Sequence, residues 1–208
     1  MKTKMEAKKG KRKTQDPCPE CFLHRSLCLC SEIPSLNLTT KVSLVIHTRE
    51  LKRTTNTGRL ALKALTNSTL RVRGELSEAH QPLDLSDLLS SDYKTLLFYP
   101  SDDAVELTKD YLKAFSKPIQ LIVPDGNWRQ ASKVHYRHHE LKNIPRVMIS
   151  EINTAKHHLR TESTEYGMST LEAIAKALRV IEGDEVGGKL QALYDLKLAR
   201  TLQARGLI

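Results

Sequence analysis

Ile119-Gln120-Leu121-Ile122-Val123-Pro124-Asp125-Gly126-Asn127-Trp128 joins an apolar run to a proline, an acid, a glycine and the only tryptophan of the chain. The helix-like Arg129-Gln130-Ala131-Ser132-Lys133 follows directly. A buried strand therefore hands over to a helix between Asp125 and Trp128. In open α/β sheets ligands bind at the carboxyl ends of strands, where backbone N–H groups and loop side chains converge. Gly126 allows close backbone approach. Trp128 brings a flat apolar face, and Asp125 can accept a proton. The competing reading is structural: Asp125 caps the helix and Trp128 packs in the core.

Other segments repeat the strand–loop–helix theme. Val42-Ser43-Leu44-Val45-Ile46-His47, Leu96-Leu97-Phe98-Tyr99 and Arg146-Val147-Met148-Ile149 read as short strands, with Thr69-Leu70-Arg71-Val72 a weaker one. Near-continuous apolar runs suit strands covered on both faces, as in a parallel sheet. Helical patterns fall over 57–65, 103–115, 127–141, 171–181 and 190–202. The alternation predicts an α/β fold.

Polar residues gather after these strands. Tyr99-Pro100-Ser101 follows one. His47, Arg49, Arg53, Asn56 and Arg59 follow another, and their cations suit a carboxylate or phosphate. Ser169-Thr170-Leu171-Glu172 opens the strong C-terminal helix, with capping as the simple role of its hydroxyls. The chain has no G-x-G-x-x-G, no G-x-x-x-x-G-K-[ST], no G-x-S-x-G and no H-E-x-x-H. Neither a Rossmann dinucleotide site nor a P-loop is supported.

All four cysteines lie within thirteen residues, as Cys18-x2-Cys21-x6-Cys28-x-Cys30. Nothing points to an oxidising compartment, so disulfides are not expected. Four thiolates this close can wrap one tetrahedral zinc ion and leave no open position, which makes the site structural. A reduced thiol cluster or an iron–sulfur site is the alternative.

The chain has 208 residues, a formal net charge of +9, 39% apolar and 5% aromatic residues. That is enough for one sizeable domain and an appendage. Residues 1–13 hold seven Lys or Arg and one Glu, so they carry +6 of that charge. The expectation is a basic disordered tail over 1–16 that neutralises nucleic-acid phosphates, or else a solvated extension. A zinc-binding module follows at 17–40, and the α/β domain at 41–208. No apolar run reaches the roughly 20 residues of a membrane-spanning helix, and the N-terminus has no secretory h-region. A cytoplasmic protein with no membrane partner is expected, and no obligate protein partner is evident.

The cysteine pattern, His47-Thr-Arg-Glu50, Asn56-Thr-Gly-Arg-Leu60, Leu97-Phe-Tyr-Pro100, Pro124-Asp-Gly-Asn-Trp128 and Ser169-Thr-Leu-Glu-Ala173 together resemble the DTW-domain family, in consistent order over about residues 16 to 205. The family motif is Asp-x-Thr-Trp, and here Asn127 replaces the threonine. Asn caps a helix as well as Thr does. The resemblance implies transfer of the 3-amino-3-carboxypropyl group of S-adenosylmethionine to N3 of a tRNA uridine. It also implies a knotted, SPOUT-like α/β fold. On that reading Asp125 removes the N3 proton. Tyr99, Pro100, Ser101, Pro124, Gly126, Asn127, Trp128, Ser169, Thr170, Leu171 and Glu172 surround the cofactor. One of Arg49, Arg53 or Arg59 holds the methionine carboxylate, with His47 and Asn56 beside them. The basic stretch Arg129, Lys133, Arg137, His138, His139 meets tRNA. An RNA methyltransferase of related fold and a non-catalytic zinc-containing RNA-binding protein are the alternatives.

Overall fold

The computed structural model describes residues 14–74, 83–151, 158–159 and 167–208. Most of the basic tail, and residues 164–166 ahead of the C-terminal helices, lie outside the described residues.

Six strands form one sheet: β1 (Lys41–His47), β2 (Ser68–Arg73), β3 (Lys94–Phe98), β4 (Val105–Glu106), β5 (Ile119–Asp125) and β6 (Arg146–Met148). Their order is β2-β1-β5-β3-β6-β4 and every pairing is parallel. The expected α/β class with a mainly parallel sheet is what forms. The α-helices among the described residues are α1 (Gly58–Ala64), α2 (Lys109–Leu112), α3 (Trp128–Arg137), α4 (Thr170–Glu182) and α5 (Asp184–Ala204).

The two-residue period of a strand explains why the apolar runs are unbroken. Leu44, Ile46, Leu96, Phe98, Leu121 and Val123 face one core, together with Leu60 of α1, Ile174 and Leu178 of α4, and Leu190 and Leu193 of α5. Their neighbours Val45, Leu97 and Ile122 face a second core with Val134 of α3, Leu85, Leu88 and Leu141. Both faces are covered, so both alternate sets are apolar.

The cysteine segment does not stand apart. Cys18, Cys21, Leu23, Leu29 and Leu36 are buried in the same core as Leu44 and Leu121. α5 grips it from the other side: the fully buried Lys197 donates from Nζ to the Cys21 carbonyl at 2.8 Å, and Arg200 reaches the Cys28 carbonyl and Glu32.

Two helix expectations need correction: the 127–141 helix stops at Arg137, with His138 extended before a 3-10 turn at His139–Leu141, and the second lies at 103–115. The 103–115 pattern is not continuous helix: Val105–Glu106 is β4 at the sheet edge, paired with Val147 and Met148, and only Lys109–Leu112 is α-helical. Thr108 supplies the reason. In an extended conformation its hydroxyl accepts from Tyr111 N and starts a new helix there. Val105 thus belongs to the strand, with Leu107 N donating to the Met148 carbonyl just beyond it, while Tyr111 and Leu112 lie in α2 and Phe115 just after it. No helix among the described residues is long and apolar enough to cross a membrane.

Candidate functional site

β5 ends on Asp125 at the centre of the sheet, in register with Ile46 of β1. Beyond it the chain turns through Gly126 into α3. Asp125 is not the cap of that helix. Asn127 is: its side chain accepts from Gln130 N at 2.9 Å, while Gln130 Oε1 accepts from Asn127 N at 2.9 Å. This reciprocal capping box shows Asn doing what a capping threonine would do. Gly126 is required for it, because a Cβ there would lie 2.8 Å from Gln130 Cβ.

Relieved of capping, the Asp125 carboxylate is buried, at 5% exposure. It ties together three segments distant in sequence. Asn56 Nδ2, in the loop after β1, donates to Oδ2 at 2.6 Å. Thr170 Oγ1, in the first turn of α4, donates to Oδ1 at 2.6 Å. The first residue of α1 passes so close that a Cβ on Gly58 would sit 2.7 Å from Oδ2 and 2.9 Å from Leu44 Cδ2. The backbone of α1 reaches the acid only because position 58 lacks a side chain. Gly58→Ala should push α1 off the acid, cost roughly 1–3 kcal/mol of stability by overpacking, and lower activity more than a mutation of equal stability cost elsewhere in α1. Equal losses for Gly58→Ala and a stability-matched Leu62 variant would show that the approach to Asp125 is incidental.

α4 is anchored by the same polar net. Ser169 caps it and accepts from Glu172 N at 3.3 Å, and Glu172 Oε2 accepts from Ser169 N at 3.3 Å. Leu171 N donates to Thr57 Oγ1 at 3.1 Å. Ser169 and Glu172 are thus the capping pair, whereas Thr170 is turned to the acid.

A cavity of about 450 Å³ opens over this point. It brings together Tyr99, Pro100, Pro124, Asp125, Gly126, Asn127, Trp128, Ser169 and Thr170, together with Asn56. Its volume lies within the roughly 300–1,000 Å³ of small-molecule sites. Ser101, Leu171 and Glu172 are not among the residues that line it. Beside Met168, Phe98, Met148, Ile149 and Leu159 complete an apolar side that the motif reading missed. Met148 and Ile149 follow the same strand-end rule that singled out Tyr99, so they were within reach of it; Leu159 carried no local signal.

Trp128 is not core. It is 42% exposed at the cavity mouth, with its ring 6.4 Å from that of Tyr99. Burial raises the Tyr99 phenol above its usual range, with Tyr136 adding to the effect. The arginines after β1 do not line the cavity. Arg53 pairs with the fully buried Glu50 at 3.3 Å. Arg59 donates to the Leu51 carbonyl at 3.2 Å and lies over the Phe22 ring. Arg49 is exposed beside His47, whose Nδ1 accepts from Arg49 N at 3.1 Å. Burial first, then Arg73, Arg49 and Lys133, push the His47 imidazole below its usual range.

The four cysteines do converge. Sγ atoms of Cys18 and Cys28 are 3.5 Å apart, Cys18 and Cys30 3.7 Å, Cys21 and Cys28 3.8 Å, and all four lie within 4.8 Å of one another. A tetrahedral zinc with Zn–S near 2.3 Å spaces its sulfurs by about 3.8 Å. Backbone N–H groups, that of Cys21 foremost, bring Cys18 down to about 6, so that thiol is prepared to be a ligand anion. The cluster can hold a metal, and zinc fits its all-sulfur donor set.

The model of the DTW domain matches residues 15–202. Among curated proteins, the chain is 26% identical over 202 residues to tRNA-uridine aminocarboxypropyltransferase 2 of Macaca fascicularis, covering 93% of this chain and 67% of that one. It is 26% identical over 197 residues to the protein of that name from Mus musculus, at 90% and 65% coverage. The Drosophila melanogaster protein of that name is 29% identical over 172 residues, at 81% and 67% coverage. The chain thus spans about two thirds of the length of the relatives it matches. No solved structure gives a significant match. With the matched region running from the cysteine cluster through both capping boxes and into the last turn of α5, the chain belongs to the DTW-domain family.

Proposed function

We propose that this protein transfers the 3-amino-3-carboxypropyl group of S-adenosylmethionine to N3 of a uridine in tRNA, forming acp3U. The observation that carries the reading is the Asp125 carboxylate, buried and oriented by Asn56 and Thr170 at one end of the cavity. Relatives named for this reaction support it.

The residues fit the donor. Phe98, Met148, Ile149 and Leu159 offer apolar walls, and Asn56, Thr57, Asn127, Ser169 and Thr170 offer polar atoms on the same cavity. A negative charge from Asp125 suits a sulfonium cation. Bound there, S-adenosylmethionine supplies an electrophilic carbon whose bond to sulfur breaks as the bond to N3 forms, the electron pair passing to a neutral thioether. The chain's own part is positioning and proton transfer. The imide N3–H of uridine is a poor nucleophile, and Asp125 takes that proton as attack develops. Asn56 and Thr170 fix the carboxylate before reaction, so little reorganisation is left. Trp128 and Tyr99 border the mouth through which the base enters. Arg49, Arg53 and Arg59 stand away from the cavity wall, so we assign Arg49 to the RNA rather than to the methionine carboxylate. The cysteine cluster holds a structural zinc.

The same reading carries a knotted, SPOUT-like path and a cytoplasmic location. A crystal structure tracing residues 149–170 checks the first, and cell fractionation the second. The reaction is tested by mass spectrometry of nucleosides from tRNA incubated with the protein and S-adenosylmethionine. The heavy aminocarboxypropyl adduct of uridine is expected. A methylated nucleoside instead would make the protein a methyltransferase, and unmodified tRNA under donor saturation would leave it a binding protein.

A further inference from the structure

α3 carries three stripes. Ala131 and Val134 are buried. Arg129, Lys133 and Arg137 recur every fourth residue and so share one side, on a helix with no carboxylate of its own. Trp128, His135 and Tyr136 occupy the side between.

Four rings meet in succession along that aromatic side. Trp128 contacts Tyr99, with centroids 6.4 Å apart. Tyr99 stacks on His135 at 5.8 Å and 28°. His135 meets Tyr136 edge-on at 4.6 Å and 74°. The first two rings line the cavity, whereas Tyr136 is 78% exposed. A single surface tyrosine needs no explanation. This one ends a ladder of rings that begins at the cavity of Asp125. His135 is held as the neutral ring: burial and then Arg146 lower its proton affinity, and Arg146 Nε donates to its Nδ1 at 2.7 Å.

Cations stand on the other flank. Arg73, at the end of β2, donates from Nη1 to the Gln130 carbonyl of α3 at 3.0 Å. Burial and the nearby Arg137 lower its proton affinity. Burial foremost, and then Arg73, Arg49 and Lys133, do the same to His47. The acid closest in sequence, Glu50, is fully buried and paired with Arg53. Like charges held together in this way are relieved by an anion.

Resting on the reading above, the geometry points to α3 as a nucleotide-reading helix: Tyr136 with His135 stacks the unpaired base next to the target uridine, and Arg49, Arg73, Lys133 and Arg137 hold the phosphodiesters beside it. Aromatic faces next to a cationic track are what bind single strands, because every unpaired base offers a π-face and the backbone repeats its charge. Bases inside a duplex stack on one another and offer no such face, so the platform selects an unpaired stretch.

The test uses the full chain and a single-stranded oligouridylate carrying 2-aminopurine next to one uridine. Wild-type protein is expected to quench the probe on binding and to bind its annealed duplex more weakly. Tyr136→Ala, at a position exposed enough to spare the fold, should lose the quenching and weaken single-strand binding by roughly 5- to 100-fold, the weight of one base–aromatic stack. Tyr136→Phe should keep both. The Lys133→Ala/Arg137→Ala pair should flatten the salt dependence but retain quenching at saturation. Unchanged quenching and affinity in Tyr136→Ala, or a duplex bound as tightly as the single strand, overturns the inference. No transfer is read in this assay, so a protein that stacks the probe but makes no acp3U sinks only the proposed reaction, and the converse result sinks only the stacking.

Discussion

Asp125→Asn should lower turnover by roughly 10²–10⁴-fold, the range for loss of a positioned general base, with the fold in place. The substitution is nearly isosteric. Its amide oxygen can still accept from Asn56 Nδ2, now 2.6 Å from the carboxylate. Its NH2 can face Thr170, because a hydroxyl accepts as well as donates. The exchange of two charge-assisted hydrogen bonds for neutral ones should cost about 1–3 kcal/mol. Affinity for tRNA should stay near wild type, and affinity for S-adenosylmethionine should change by far less than turnover. The helix-capping alternative is no longer available to explain such a loss, since Asn127 caps α3. Near-wild-type turnover removes Asp125 as the base. A collapse in cofactor affinity with little change in turnover at saturation makes the acid a binding group for the cationic donor instead.

The parts of this site that sequence revealed are those whose chemistry is local. The run from Ile119 to Trp128 announces a strand, a turn and a helix start in consecutive residues, and the structure places them so. Both capping boxes, Asn127 with Gln130 and Ser169 with Glu172, obey a three-residue spacing that can be read directly. The partners of Asp125 could not be read in that way. Asn56 lies 69 residues before it and Thr170 lies 45 after. The strand order, which sets β1 beside β5, brings Asn56 near, and the packing of α4 on the same core face brings Thr170. Residue type also does not fix direction. Arg49, Arg53 and Arg59 are cations after a buried strand, but the short 3-10 turn at Thr48–Glu50 and the burial of Glu50 send them elsewhere. A mixed apolar pattern misled at 103–115, where a helix period and a strand period were joined across the cap at Thr108.

The cysteine cluster should matter to the whole fold rather than to itself alone. Its residues share a core with β1 and β5, and the buried Lys197 ammonium of α5 donates to the cluster's own backbone at the Cys21 carbonyl. Burial draws the Lys197 ammonium down to about 8, and the neighbouring thiolates of Cys21, Cys30 and Cys18 oppose that shift. A tetrathiolate zinc carries net negative charge, so Lys197 and Arg200 offset it from α5. Purified protein should therefore contain about one zinc per chain, with sulfur ligands by X-ray absorption. Cys18→Ser or Cys21→Ser should lose the metal, because binding energy in such a site is folding energy. A loss on the order of 5 kcal/mol, a fraction of the ~10–16 kcal/mol of structural zinc sites, lowers the thermal midpoint of a chain this size by roughly 10–20 °C. Lys197→Met should separate charge from packing: it keeps the length of the side chain and removes the ammonium, so metal should be retained less tightly while the core stays filled. Metal retained in full by both cysteine variants would defeat the zinc assignment, and iron with a visible absorption band would replace it by a cluster. Metal lost without any fall in the midpoint would mean that α5 and the sheet hold this segment unaided.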